Sequence, residues 1–100
     1  MDPANPDIHI SDVVVSTAGR DQGAWFYVID EDPVYLMLAN GKDRTLDKPK
    51  RKKRRHVQKV LRSETRVALK IKEGSKVLNG ELRRDLAFLA DQMQANNLGG

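Results

Sequence analysis

A chain of 100 residues with 18 Lys+Arg, 14 Asp+Glu and a formal net charge of +4 makes one small domain with room for a modest core. It has no cysteine, which excludes disulfides, thiolate nucleophiles and thiolate metal sites and fits a reducing, cytoplasmic setting. No apolar run reaches the about 18 residues of a membrane span, and the first residues lack the basic-then-apolar layout of a secretory leader.

The opening "MDPANPDIHI", with its two prolines and two Asp, predicts a flexible tail over residues 1–9. "DVVVS" (12–16) is a β-branched run of strand type. The loop "TAGRDQG" follows, in which Gly19 and Gly23 bracket three polar residues. "AWFYVID" (24–30) is a second strand, broken at "EDP" because Pro33 has no N–H to give to a ladder. "VYLMLA" (34–39) is a third. "NG" at 40–41 is a hairpin signal that places a return strand from near Lys42 through Leu46. Short antiparallel strands joined by tight turns predict a small barrel or sandwich over residues 10–61, with a basic segment on or just beyond its fourth strand.

Residues 62–96 read as a C-terminal helical extension and 97–100 as a flexible tail. In "SETRVALKIKEG", Val67, Leu69 and Ile71 alternate as in a strand. Ser63 can nevertheless cap a helix and Gly74 can stop one, so the reading leans to a short helix. From a capping Asn79, the spacing of Leu82, Leu86, Leu89, Ala90 and Met93 predicts an amphipathic helix of about 14–16 residues ending before "NNLGG". In the second strand, Phe26 and Val28 face one way and Trp25, Tyr27 and Ile29 the other. Both sets are apolar, so one packs the barrel and the other is covered by the C-terminal helix or by a partner. Trp25 is read as a packing group before a base-stacking one.

The charge is segregated. Residues 42–62 hold eleven Lys/Arg and two acids, whereas the rest of the chain holds seven and twelve. Within "LDKPKRKKRRHVQKV", Lys48, Lys50, Arg51, Lys52, Lys53, Arg54 and Arg55 crowd into eight positions, and no acid occurs between Asp47 and Glu64. Such a run can be a solvated loop, an import signal or a polyanion-binding surface. Two details favour the last. The run leads back into folded chain, which fixes its cations, and acids are excluded around it.

No aromatic falls within residues 42–62, so no stacking platform is expected. Binding should be driven by phosphate contacts and counterion release. Arg20, at the tip of the glycine loop, can fork onto a phosphate or a guanine edge, although an ordinary turn with an exposed Arg reads equally well.

Catalysis finds no support. His9 stands next to the tail, and His56, among seven cations, lacks an obvious orienting carboxylate. No metal-ligand spacing, no phosphate-cradling Gly-Lys-Ser/Thr loop and no nucleophile elbow occur.

The stretch "VVVSTAGRDQGAWFYVID", with Gly23 at the characteristic glycine, resembles the KOW motif of translation proteins. The continuation "YLMLANGKDRTLDKPKRKKRRHVQ" and the helix start "NGELRRDLA" are similar to small bacterial KOW-domain RNA-binding proteins, themselves akin to archaeal and eukaryotic large-subunit ribosomal proteins. In this chain Asn40 stands before Gly41 where that pattern has Asp.

The resemblance spans roughly residues 10–90. It implies a mainly β fold, a small SH3-like β-barrel of KOW type with a C-terminal α-helical extension. It further implies no catalysis, no cofactor and binding to structured RNA, ribosomal RNA above all, on the ribosome or its assembly intermediates. No membrane and no small-molecule substrate are expected. The expected contacts are Arg20, Gly23, Lys48, Lys50, Arg51, Lys52, Lys53, Arg54, Arg55 and His56. The competing expectation is a protein–protein adaptor of translation or transcription that uses the barrel and the helix.

Overall fold

The computed structural model describes residues 7–99, with side chains as far as Gln94. Five strands form one antiparallel sheet: β1 (Asp12–Ser16), β2 (Trp25–Glu31), β3 (Tyr35–Ala39), β4 (Lys50–Lys53) and β5 (Val57–Arg62), in the order β4-β3-β2-β1-β5. Two helices follow, α1 (Arg66–Glu73) and α2 (Asn79–Gly99). Residues 1–6 of the expected tail and Gly100 lie outside the described residues. The tail is anchored by its last part, since Ile8 is fully buried in the core. At the other end α2 runs on through the "NNLG" where a stop was expected.

The sheet is curled. β4 and β5 are consecutive, joined only by a 3-10 turn at Arg54–His56, yet they occupy opposite edges. In a flat sheet those edges would stand about 19 Å apart. Four extended peptide steps span only about 14 Å. The turn is tied to both sides: Arg54 N donates to Val34 O at 2.9 Å and Thr17 N to His56 O at 2.9 Å. No backbone ladder joins β4 to β5 among the described residues.

Alternation along the strands sends apolar side chains to both faces of the sheet. Ile8, Val14, Phe26, Val28, Leu36, Leu38 and Val57 fill the inner face. Val13, Tyr27 and Ala39 look outward and are covered by Val67 and Ala68 of α1 and by Leu82 and Leu86 of α2, with Trp25 and Ile29 packed alongside. The C-terminal helices therefore cover the second apolar set of β2, and Trp25 serves as packing.

A polar knot fixes this outer layer. Tyr27 Oη donates to Asp85 Oδ2, and Thr65 Oγ1 donates to the same oxygen at 2.8 Å. Ser63 Oγ lies 2.8 Å from the Tyr27 hydroxyl. Burial, reinforced by the Asp85 carboxylate, pushes the Tyr27 hydroxyl well above its ordinary range, so it stays a donor.

Residues 63–73 are resolved in favour of a helix, but its cap is Thr65, whose side chain accepts from Ala68 N at 3.2 Å. Ser63, read as a cap, is buried in the knot. Gly74 ends α1 in the left-handed region. Asn79 begins α2, but its Oδ1 accepts from Leu46 N at 2.8 Å, in the segment preceding β4.

The return strand expected at Lys42–Leu46 does not form. Asn40 Oδ1 accepts from Lys42 N at 3.0 Å and Arg44 N at 3.1 Å, and Asn40 N and Gly41 N both donate to Arg44 O. These bonds curl the chain locally and take it out of the ladder. Gly41, at φ 77°, sits so close to α2 that a Cβ there would lie 2.2 Å from Asn79 O. The "NG" pair therefore seats a helix, and strand pairing resumes only at Leu38↔Lys50. The fourth strand is the basic run itself.

Candidate nucleic-acid interface

"KRKK" has little strand propensity of its own. It becomes β4 because pairing with β3 sorts its side chains onto two faces. Lys50 and Lys52 lie opposite Leu38 and Leu36 and point inward; Arg51 and Lys53 lie opposite Met37 and Tyr35 and point outward.

The inward pair meets one acid, Asp21. Lys52 is 7 % exposed, and its Nζ lies 2.6 Å from Asp21 Oδ1 and 2.7 Å from Ala18 O, both in the glycine loop. Lys50 Nζ takes the other oxygen, Asp21 Oδ2, at 2.9 Å. Ser16 Oγ donates to Asp21 Oδ1 at 2.7 Å. Burial opposes charge on Asp21, but the hydrogen bonds from Lys52, Lys50 and Ser16 outweigh it and hold the carboxyl far below the usual carboxylate range. Asp21 thus staples the loop to β4.

Arg54, in the turn after β4, is the most engaged cation. It is 5 % exposed; its Nε donates to Asp32 O at 2.8 Å, Nη1 to Ile8 O at 2.9 Å and Nη2 to Glu31 Oε1 at 3.0 Å. Burial likewise opposes charge on Glu31, but Ile10 N, His9 and Arg54 bring its carboxyl below the ordinary value. These contacts pull the N-terminal segment, the end of β2 and the β4–β5 turn together. Lys52 and Arg54, both expected to meet phosphate, are instead held within the fold, each with an acid and at least one backbone carbonyl around it and almost no accessible surface.

The outward set is different. Lys48, Arg51 and Arg55 are exposed and Lys53 is half-buried, and none of the four pairs with an acid among the described residues. His56 is half-buried, and its carbonyl closes the turn onto Thr17. Arg51 Cζ lies 3.6 Å over the centre of the Tyr35 ring. The chain's linear order hid this aromatic from the basic run; strand pairing delivers it.

Arg20 is exposed at the loop tip. With Asp21, Gln22, Asp43, Arg44 and Lys50 it lines a groove of about 480 Å³ between the glycine loop and residues 40–49. Gly19 and Gly23 hold the loop at φ 86° and 90°, and the space where a Gly23 side chain would stand is open. The structure thus brings Arg20 and Lys50 together and adds Arg44, which was not among the expected contacts. Its signal was present: a cation in the acid-poor segment, just after an Asn-Gly turn.

Among the described residues no helix is long and apolar enough to cross a membrane, and no group of three His, Cys, Asp or Glu is placed to hold a metal ion. No protein-family model matches the chain, and no curated protein matches it in sequence.

Proposed function

We propose that this protein is a non-catalytic, cytoplasmic RNA-binding protein of KOW type that holds structured ribosomal RNA by its phosphates. The observation that carries the proposal is the division of the basic run. Folding pairs Lys50 and Lys52 with Asp21 and Arg54 with Glu31, and leaves Lys48, Arg51, Lys53 and Arg55 on or beside an edge strand with no acid at ion-pair distance among the described residues. Cations fixed on a strand lose little conformational entropy on meeting phosphates. The curl of the sheet and the loop stapled beside its basic edge support an SH3-like barrel as the frame.

Charge on an edge strand also keeps other strands from pairing with it. Ligand binding separates the two roles. With Arg20 and Arg44 added to the four outward cations, about six phosphates are within the interface's capacity, and log K should fall against log salt with a slope of roughly −4 to −5. Replacing Lys48, Arg51, Lys53 and Arg55 together by Gln should flatten that slope by about 3 to 4, read by anisotropy on ribosomal RNA fragments. An unchanged slope would remove the run from the interface.

The adaptor reading has its own observation: Leu69, Leu78 and Phe88 on the helical side are 47 %, 56 % and 54 % exposed. Co-sedimentation with ribosomes that is sensitive to RNase favours the RNA reading; RNase-resistant capture favours the adaptor.

A further inference from the structure

We infer that Arg51, laid flat on Tyr35, is a stacking plate for one unpaired base, so that the preferred RNA carries a bulged or looped nucleotide beside its duplex. The inference rests on the RNA-binding reading above and specifies the form of the ligand.

The geometry defines the plate. Tyr35 and Lys53 are directly opposed across β3 and β4, Met37 opposes Arg51, and Arg51 reaches Tyr35 on the diagonal. A guanidinium carbon 3.6 Å from the ring centre is at stacking distance. The plate takes the face-to-face arrangement, which a guanidinium carbon at this distance allows.

The ring beneath is held from its backbone. Asp32 Oδ1 accepts from Val34 N at 2.8 Å and Tyr35 N at 2.6 Å, and Arg54 N donates to Val34 O. Arg51 itself is exposed and meets no acid at ion-pair distance among the described residues, so the outer face of the guanidinium is open.

Unstacked bases in RNA bind to Arg planes as well as to aromatic rings, whereas bases within a continuous duplex present no face. A lysine at 51 would keep the charge but supply no plane. Lys53, on the same strand face, can hold the phosphate that flanks the extruded base.

The test compares two RNA hairpins of identical stem sequence, one fully paired and one with a single-adenosine bulge, by fluorescence anisotropy at fixed salt. The wild-type protein should bind the bulged hairpin about tenfold tighter. R51K, which keeps charge and strand, should lose that preference; Y35F, which keeps the ring, should retain it. Equal binding of the two hairpins by the wild type overturns the plate and leaves the phosphate reading standing. A preference that persists in R51K also overturns it. Failure to bind either hairpin, at low salt as well, overturns both readings.

Discussion

Alternate cations of one short run behave as two populations. Lys50, Lys52 and Arg54 lie against Asp21, Glu31 and backbone carbonyls. Arg51, Lys53 and Arg55 lie on the other side, one against an aromatic ring and the others without an acid among the described residues. The chemistry of the side chains is the same in both sets, so parity along β4 for Lys50 to Lys53, the turn after it for Arg54 and Arg55, and the position of distant acids decide the outcome. A cluster of like charge can therefore be half scaffold and half surface. Removing charge from it indiscriminately would mix a folding defect with a binding defect.

The contrast breaks most sharply at Arg54. Arg54→Gln should lower stability by about 2–4 kcal/mol, because Glu31 loses its cation and the carbonyls of Asp32 and Ile8 lose their guanidinium donor, whereas Arg55→Gln should stay within about 0.5 kcal/mol. Urea denaturation of the two variants measures the gap, and equal effects would erase the distinction.

Next comes Asp21. Its carboxyl pKa is depressed in the fold, so the stability it contributes is present above the ordinary carboxylate value near 4 and is lost as pH falls through its folded value. Acid titration of the wild type should show stability declining from about pH 5 downward. Asp21→Asn should be less stable at neutral pH and show a shallower decline, Glu31 still contributing in the same direction. A decline as steep as that of the wild type would mean that the staple contributes nothing.

The smallest change expected is in the outward set. Arg55→Gln should leave the melt where it is and reduce the salt slope of RNA binding by about 0.7–0.9.

Much of the sheet could be read from the chain. The β-branched run at 12–16, the glycine loop and the aromatic strand after it fall where their residue types put them, and the two-faced pattern of β2 announced a second covering layer. What could not be read has a common cause. Asp21 lies 31 positions before Lys52, and Glu31 lies 23 before Arg54, so no local pattern says which lysine will be inward. The missing return strand failed for a related reason. Asn-Gly is a turn signal whatever follows it, and here the turn abuts the backbone of Asn79, a contact no window on residues 40–49 contains. Tyr35 was visible as a strand residue, but its place under Arg51 exists only once β3 and β4 have paired.

The seat of Gly41 against Asn79 has a bearing on how the molecule is made. A ribosome-bound chain that has emerged only to residue 78 already holds every strand, yet lacks the helix turn on which residues 41–46 rest. Asn40 would still curl residues 40–44 through its bonds to Arg44, but Leu46 would lack its tie to the helix until Asn79 follows.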